Sequence, residues 1–511
     1  MATNTRLLDQ KIAAVLKSSD RMFLATSVGG NSSGSSVFYA LDGQDLLFFT
    51  FNPTRKAEQI RFNPRVQVVI WPRGQEGIRG LQIEGECYRI KDPKEIQQAH
   101  DKILTVTTAF QSYMDDDFLK KNKVVGYYRI KPTVTKYVDF YADTQFEWRE
   151  YPENQVGTLK DFFRSIGKRT LLWLRAVRAP FFTAAIVPIL LGAVIAFRDL
   201  NHAGMANAWN WSLFWWALLG GILAQAGTNM ANDFGDHQTR TDEWNKVPSP
   251  FNGGSRMIQA GLLAPWKVLV ASLVAFGGMI FIGLHLNTIV GGAPFARTPL
   301  LWAGIIGTAL GLLYTLTPLR LSYKGLGEVA IALGFGPVMV LGTHYVLTTN
   351  HLPTWSWPMP LLASIPVAIL VMLIVWINQF QDAPSDEKAG KNTWVVRTAD
   401  RSGSYYRYEK PFQLYSTFNY FSFAFILFIG VLGFLRPDLG SPFALLAIIP
   451  GVLMVYAIKW GKSWLSEWNQ QNADRQKLPY ELLKVNVSTI GIHLATGLLL
   501  ILGYWIDARF F

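Results

Sequence analysis

The pattern of apolar and polar positions changes near residue 170. Before this point, short apolar runs rich in Val, Ile, Phe and Tyr are separated by Gly, Asn, Asp or Pro, which is typical of short strands and turns. Beyond it, apolar stretches approach the ~20 residues that an α-helix needs to cross a bilayer, and polar loops separate them. The pattern therefore predicts a soluble first part and a membrane-embedded second part.

The first part predicts a small domain over residues 1–145, all-β with a few helices. Several short strands with so few helices indicate a barrel or a sandwich. The polar segment 146–169 is expected to be a linker or a surface-lying helix. The predicted strands are 22–27, 35–41, 45–51, 66–72, 80–90, 126–131 and 133–140, and the predicted helices are 5–18, 54–62 and 93–105.

The second part, residues 170–511, predicts an all-α membrane domain of nine transmembrane helices. The nine apolar segments lie at 178–197, 211–230, 266–286, 299–317, 328–348, 358–380, 414–435, 441–459 and 483–505.

The basic residues predict the orientation of this domain. If the N-terminal domain is inside, the inward loops (231–267, 318–327, 381–412 and 459–482) hold sixteen Lys and Arg residues, whereas the outward loops and the C-terminus hold four. This bias follows the positive-inside rule. The first twenty residues lack the apolar core of a signal peptide. We therefore expect an integral protein of a bacterial inner membrane, with the N-terminal domain in the cytoplasm and the C-terminus on the outer side.

Composition narrows the possible partners. The net charge is +12, but the basic residues of the second part gather in alternate loops and form no basic tail, so no nucleic-acid partner is expected. The single cysteine, Cys87, excludes an internal disulfide and a cysteine-based metal cluster. It lies on a β-run and is expected to be a buried small hydrophobic residue.

Two inward loops carry acidic clusters directly after apolar helices. Asn232, Asp233 and Asp236 follow the second helix, and Asn378, Asp382 and Asp386 follow the sixth. Residues three and four apart share a helix face. Mg²⁺ is typically held by one or two carboxylates together with substrate phosphates. Two such clusters on one membrane face therefore predict a site for Mg²⁺ and a diphosphate.

Basic residues follow each acidic cluster. Arg256 and Lys391 suit a phosphate-clamp role, because they would neutralise charge as a diphosphate departs. A surrounding membrane cavity would hold an apolar tail and keep water from quenching an allylic cation. The alternative is that the Asp residues are helix caps and solvated loop charges. A transporter is a weaker hypothesis, because the carboxylates cluster at one face and not at mid-bilayer.

The membrane half resembles the UbiA superfamily of intramembrane prenyltransferases over residues 170–505. The family's first Asp-rich motif corresponds to Asn232-Asp233-x-x-Asp236, with a later Asp shifted to Asp242 and Arg240 in its usual place. The second, DxxxD, corresponds to Asp382 and Asp386. Pro384 interrupts that run, so one of the two could face a metal while the other caps a new helix. The resemblance implies nine helices, catalytic Asp233, Asp236, Asp382, Arg256 and Lys391, Mg²⁺ on Asp233, Asp236, Asp382 and Asp386, and Asn232 and Asn378 at the substrates.

Three further stretches, RAPFFTAAIVPILLGA, YTLTPLRLSYKGLGE and ALGFGPVMVLGTHYV, are similar to 1,4-dihydroxy-2-naphthoate polyprenyltransferases. That branch would place Arg178, Tyr314, Arg320, Lys324 and Glu328 near the substrates, a polyprenyl diphosphate and an aromatic acceptor. Positive-inside anchoring is the alternative for Arg320 and Lys324, and an interfacial aromatic is the alternative for Tyr314. The prenyl length and the identity of the acceptor stay open.

The first part resembles the pyridoxamine 5′-phosphate oxidase-like split barrel over residues 5–140, through LATS, SSVFYAL, FNPTRKAEQIRFNPRVQVVI and GLQIEGECYRI. In flavin-binding members the position of Thr54-Arg55-Lys56 holds the phosphate, so Arg55 and Lys56 would bind FMN. Basic side chains at a helix N-terminus suit a phosphate, although such a pair is often simply solvated. Whether the domain holds FMN, another cofactor or none stays open, as does dimerisation through the barrel. A membrane-tethered flavin-dependent reductase of a quinone or lipid is the alternative function.

Overall fold

The computed structural model describes residues 2–52, 54–72, 79–108, 125–140, 142, 146–154, 158–245, 249, 251–402, 405–475 and 477–510. The chain forms two compact units. The first contains Met1–Arg175 together with Met257–Ala264, and the second contains Ala176–Arg256 with Pro265–Phe511. A short segment of the second half of the sequence therefore belongs, by its contacts, to the N-terminal unit.

The strands of the first unit form one eight-stranded antiparallel sheet in the order β2-β1-β5-β6-β7-β4-β3, with β8 paired to β7. This sheet, a half-barrel with helices beside it, confirms the predicted all-β character of the N-terminal domain. The strands are β1 Arg21–Val28, β2 Asn31–Phe38, β3 Ala40–Asp42, β4 Asp45–Phe51, β5 Arg65–Ile70, β6 Arg79–Arg89, β7 Val125–Asp139 and β8 Phe146–Glu150. The helices of this unit are α1 Ala2–Lys17, α2 Arg55–Phe62, α3 Pro93–Leu104 and α4 Thr158–Ala176, whose last residue falls in the second unit.

The alternation of apolar residues fixes which face of each strand is buried. In β5, Val66, Val68 and Ile70 are buried, whereas the residues between them are exposed. They join a core to which Cys87 also belongs. Burial raises the pKa of the Cys87 thiol well above its ordinary value, so the side chain is a neutral, buried group.

Two features of the sheet differ from the sequence-based prediction. The runs 126–131 and 133–140 were expected as separate strands, but both lie in β7. Pro132 is accommodated because the β6–β7 register shifts at Glu84/Gly85, opposite this proline. The segment 146–169, predicted as a linker or a surface-lying helix, begins with β8, which pairs with β7, and ends within helix α4. Its residues 155–157 lie outside the described residues.

The second unit is helical. Its helices are α5 Thr183–His202, α6 Trp211–Gln238, α7 Thr241–Trp244, α8 Pro265–Gly291, α9 Pro299–Leu313, α10 Gly327–Leu333, α11 Met339–Thr348, α12 Pro358–Lys388, α13 Trp394–Thr398, α14 Glu409–Leu435, α15 Gly451–Trp468, α16 Leu478–Glu481 and α17 Leu483–Phe510, and a two-stranded ribbon joins β9 Asp400–Ser402 to β10 Tyr405–Arg407.

Among the described residues, seven helical segments are long and apolar enough to cross a membrane, so the predicted count of nine is not confirmed. The two remaining predicted segments coincide with α6 and α9. Helix α9 has 15 residues, fewer than the ~20 that span a bilayer. Helix α6 is long, but it carries polar side chains such as Gln225, Thr228 and Asn229, and these line the cavity described below.

Candidate active site

One cavity of about 180 Å³ in the second unit brings together most of the residues that the sequence singled out. Its walls are formed by the C-terminal ends of α6 and α12, by the loop that follows α7 and by the turn after α12. The predicted residues that line it are Arg178, Asn232, Asp236, Tyr314, Asn378, Asp382, Asp386 and Lys391.

Lys391 and Asp236 form a buried ion pair at the centre of this cluster. Lys391 Nζ lies 3.0 and 3.1 Å from the two carboxylate oxygens of Asp236. Asn232, one helical turn earlier, donates to Oδ2 of the same carboxylate at 2.9 Å. Burial alone would lower the pKa of Lys391, but Asp236 and then Asp386 outweigh it and raise that pKa well above its ordinary value. The neighbouring carboxylates therefore favour the charged ammonium form of Lys391 inside the cavity.

Asp233 is held by two donors that come from distant parts of the chain. Arg178 Nη2 donates to its Oδ1 at 2.9 Å, and the backbone N–H of Ser255 lies 3.2 and 3.3 Å from its two oxygens. Asp233 itself is 3% exposed. A carboxylate held from both sides in this way keeps one orientation, which is a requirement for a metal ligand.

The second Asp motif stays on one helix. Helix α12 continues through Pro384 to Lys388, so Asp386 does not cap a new helix, and both Asp382 and Asp386 line the cavity. The proline removes one backbone donor at this point, and the helix tolerates the loss. Asn245 and Asn252 donate to Asp382 Oδ1 at 2.7 and 3.0 Å.

The oxygen ligands in the cavity suit a divalent cation whose coordination shell is completed by a bound ligand. The carboxylates of Asp233, Asp236, Asp382 and Asp386 outnumber the cations Arg178 and Lys391 that neutralise this cluster. No group of three or more acidic, His or Cys side chains converges on one point in the described part of the chain. Mg²⁺ seldom uses an all-protein cage and takes its remaining ligands from water and phosphate oxygens. The residues present therefore fit Mg²⁺ together with a diphosphate.

Five predicted residues are not part of the cavity lining: Asp233, Arg256, Arg320, Lys324 and Glu328. The buried Glu328 accepts hydrogen bonds from the Gln379 side chain and the Trp394 backbone N–H, both at 2.8 Å. Arg256 donates to the backbone oxygen of Asp242 at 2.5 Å, so its head group supports the loop. Arg320 immediately precedes a short 3₁₀ segment, Leu321–Lys324, and Lys324 is exposed. Asn378 lines the cavity, but its oxygen accepts a hydrogen bond from Asn486 at 2.7 Å.

Helix α7 and the loop after it contribute residues that the sequence prediction did not place at the substrates. Asp242 is buried in the cavity wall, and burial, followed by the charges of Asp236 and Asp233, raises its pKa well above the ordinary value. Gly254 has φ +71, and an added Cβ there would lie 2.6 Å from an Asp242 oxygen. The adjacent glycines in PFNGGSR were the available signal, because glycine pairs mark a backbone that passes close to a functional group.

A second, apolar chamber of about 700 Å³ adjoins the polar cavity. Both cavities are lined by Gln225, Thr228, Tyr314, Ile331 and Phe335. The chamber wall is otherwise almost entirely aliphatic and aromatic and includes several helix glycines. It can bury a long hydrocarbon chain whose polar end lies among the carboxylates.

The residues proposed for FMN lie at the start of α2 in the first unit. The Arg55 guanidinium lies against the backbone of Gly261, so closely that a Cβ at that position would collide with it. Lys56 is half-buried, and this burial lowers its pKa. The side-chain carbonyl of Gln59 accepts hydrogen bonds from both Thr26 and Ser33 at 2.6 Å. A flavin phosphate at the start of α2 would therefore have to share the Arg55 head group with the chain's own turn.

Sequence profiles of two families match the chain. That of the UbiA prenyltransferase family matches residues 171–476, and that of pyridoxamine 5′-phosphate oxidase matches residues 8–118. A 2-carboxy-1,4-naphthoquinone phytyltransferase of Synechocystis sp. is 25% identical over 65% of this chain and 92% of its own length. A 1,4-dihydroxy-2-naphthoate octaprenyltransferase of Haemophilus influenzae is 27% identical over 48% of this chain and 74% of its own length.

Among solved structures, a heme binding protein from Mycobacterium smegmatis matches 27% of this chain and 56% of its own, with 16% identity and a TM-score of 0.24.

Proposed function

Since the chain belongs to the UbiA prenyltransferase family, we propose that it transfers a polyprenyl group from a polyprenyl diphosphate to 1,4-dihydroxy-2-naphthoate or a related quinone precursor, in a reaction that requires Mg²⁺. The chain is a prenyltransferase and an integral membrane protein. The observation that carries the proposal is the polar cavity, with Asp236, Asp382 and Lys391 in its wall, beside an apolar chamber that shares Tyr314 with it.

In this proposal, Asp233, Asp236, Asp382 and Asp386 hold Mg²⁺. When bound, Mg²⁺ neutralises charge on the departing diphosphate. Lys391 lies in the cavity as a fixed cation and contributes a second positive charge to the diphosphate oxygens. The bond between the allylic carbon and the diphosphate oxygen breaks, and its electron pair leaves with the diphosphate. The allylic carbon then bonds to an electron-rich ring carbon, which releases a proton, or carbon dioxide where it carries a carboxylate, so that the ring electrons are restored.

The apolar chamber would hold the polyprenyl tail. Its aliphatic lining buries hydrocarbon and keeps water away from the allylic carbon. Tyr314 lines both cavities, so it stands where the diphosphate end would meet the chain. The acceptor then approaches from the polar side, where Asn378 and Arg178 form part of the wall.

The flavin-dependent reductase is not favoured. The two relatives described above are a 2-carboxy-1,4-naphthoquinone phytyltransferase and a 1,4-dihydroxy-2-naphthoate octaprenyltransferase, and the Arg55 head group lies against the turn at Gly261. A cytoplasmic N-terminal domain, an outer C-terminus and a bacterial inner membrane remain part of the proposal, supported by the distribution of basic residues. Dimerisation through the barrel stays a prediction.

Asp236→Asn and Asp382→Asn test the proposal. Each substitution removes a charge that would hold the metal, so we expect Mg²⁺-dependent transfer to fall about 100-fold or more. The measurement is the rate of prenylated product formed by purified protein with saturating donor and acceptor. Asp438→Asn, an exposed carboxylate paired with Arg436, is the control and should retain the wild-type rate. Wild-type rates in both cavity variants would refute the proposed site.

A further inference from the structure

Helix α2 of the N-terminal unit contacts two separate segments of the chain. The first is the end of α4, where Arg175 Nη1 lies 2.7 Å from Glu58 Oε2 and the guanidinium lies 5.4 Å from the centre of the Phe62 ring. The second is the segment Met257–Ala264, whose Gly261 lies against Arg55. One short helix therefore holds both segments.

The segment Met257–Ala264 is folded as a buried turn. The backbone N–H groups of Leu262 and Leu263 donate to the Met257 oxygen at 2.9 and 3.1 Å, and that of Gly261 donates to the Ile258 oxygen at 2.9 Å. Met257 and Leu262 are each 1% exposed. Gly261 has φ +64, a conformation that other residues rarely adopt. Buried apolar anchors and internal hydrogen bonds give this turn a defined shape.

Gln59 strengthens the attachment of α2 to the turn. Its amide nitrogen reaches the Gly261 oxygen at 3.5 Å and the Asn31 oxygen at 3.2 Å. The side-chain oxygen of Gln59 accepts hydrogen bonds from the hydroxyls of Thr26 and Ser33. Because Gln59 is fully buried, these hydrogen bonds are shielded from water.

Both held segments lead directly to the donors of Asp233. Arg175 precedes Arg178 by three residues, and Ser255 precedes Gly261 by six. Arg178 and Ser255 are the two groups that hold the Asp233 carboxylate. Arg178 and Arg256 adopt left-handed conformations, with φ 54 and 63. Such strain persists when the surrounding structure fixes the chain on both sides.

We infer that the N-terminal domain is a positioning module of the prenyltransferase. Helix α2, Arg175 and the turn 257–263 form a clasp that fixes Arg178 and Ser255, and through them it orients Asp233 for the metal. The inference rests on the proposed function for its catalytic consequence. It also gives the residues that resemble a flavin phosphate site another role: Arg55 packs against the chain's own turn, and Gln59 donates a hydrogen bond to it.

Gly261→Ala tests the clasp, and Gly43→Ala is its matched control. The two glycines have nearly equal φ values, +64 and +65, but a Cβ at Gly261 would displace the flexible Arg55 head group from the turn, whereas nothing lies within 4 Å of a Cβ at Gly43. We expect Gly261→Ala to loosen the turn and to raise the Mg²⁺ concentration for half-maximal transfer about 10-fold, the lower end of the cost of disturbing a group that orients a metal ligand. The KM for the aromatic acceptor should stay unchanged, and Gly43→Ala should behave as wild type.

Hydrogen exchange supplies a readout that does not depend on activity. Peptides covering residues 251–264 should exchange faster in Gly261→Ala than in the wild type or Gly43→Ala.

The ion pair between Glu58 and Arg175 gives a second, independent test. Glu58→Gln, which breaks this ion pair at nearly constant side-chain size, should raise the Mg²⁺ concentration needed for half-maximal transfer. The charge-swapped pair Glu58→Arg/Arg175→Glu should restore it.

Wild-type exchange and an unchanged Mg²⁺ requirement in both Gly261→Ala and Glu58→Gln would overturn the inference while leaving the proposed function intact. Stoichiometric FMN in the purified protein, with faster exchange of residues 251–264 upon its addition, would also overturn it. If the wild type formed no product, the proposed function would fail, and the exchange measurement alone would decide whether the clasp exists.

Discussion

At the residue scale, Lys391 is the fixed positive charge among the carboxylates of the cavity. Its ammonium contacts both carboxylate oxygens of Asp236. The same nitrogen lies 5.8 Å from the centre of the Tyr323 ring. It is 8% exposed, so its charge is poorly screened by water. A cation in this position stabilises any ligand that brings negative charge into the cavity.

Lys391→Met should therefore abolish most of the activity while keeping the volume of the side chain. We expect the rate of transfer at saturating donor to fall about 100- to 1,000-fold, since a preorganised charge at the leaving group is lost. The matched control is Lys388→Met, because Lys388 is exposed at the end of α12 and lies over the Trp244 ring. It should stay within about twofold of the wild type, as exposed charges contribute little. Equal losses in both variants would contradict the role of Lys391.

The spacing of residues in the sequence predicts which side chains share a face of one helix, but it does not predict contacts made by a loop. Asn232, Asp233 and Asp236 lie on one helix, so their common face follows from helical geometry. The contact of Ser255 with Asp233 depends on how a glycine-containing loop folds back, which no periodicity encodes. Arg256 lies beside this contact in sequence, yet its head group turns to the Asp242 backbone.

At the element scale, α12 shows why a proline is weak evidence for a helix end. Pro384 lacks a donor, but the helix runs from Pro358 to Lys388 around it. The helix is held by packing, since Trp376, Ile377 and Phe380 of α12 are buried in the main core of this unit. Tertiary packing outweighs the loss of one backbone hydrogen bond. Local sequence alone could not decide this balance.

The glycine-rich wall of the apolar chamber predicts how chain length is selected. Gly283 lines the chamber and an added Cβ meets nothing within 4 Å, so Gly283→Phe would fill part of the chamber. We expect kcat/KM to fall about 10-fold or more for long polyprenyl diphosphates and to change little for short ones. The measurement is a series of donors that differ in the number of isoprene units.

Gly277→Phe is the control for this prediction. Gly277 lies on the same helix, α8, its Cβ would also meet nothing within 4 Å, and it does not line the chamber. It should leave the preference for chain length unchanged. A uniform loss for all donors in Gly283→Phe would contradict a role of the chamber in holding the tail.

At the scale of the whole molecule, the sequence divides correctly into a β-rich and a helical part, but the division by contacts is different. The segment Met257–Ala264 belongs to the N-terminal unit, although the sequence between the two cavity motifs gave no sign of it. Its apolar residues were indistinguishable from the start of the following membrane helix. Long-range packing between distant segments is what a one-dimensional pattern omits.

The distribution of basic residues predicts the topology, which the single native cysteine makes simple to test. In a Cys87→Ser background, Asp438→Cys should react with a membrane-impermeant thiol reagent in intact cells, because its loop is predicted to face outward. Gln470→Cys should react only after the membrane is opened. Both positions are exposed. Labelling of Gln470→Cys in intact cells would reverse the orientation.

The central claim is that this chain joins a polyprenyl group to an aromatic quinone precursor with Mg²⁺, using the two Asp clusters. The most direct test is mass spectrometry of the product that the purified full chain forms from a polyprenyl diphosphate and a panel of aromatic acceptors, with Mg²⁺ or with EDTA. We predict a prenylated naphthoate-derived product with Mg²⁺, none with EDTA, and none from Asp236→Asn/Asp382→Asn. The absence of a prenylated product with every acceptor, or equal yields from the double variant, would contradict the account.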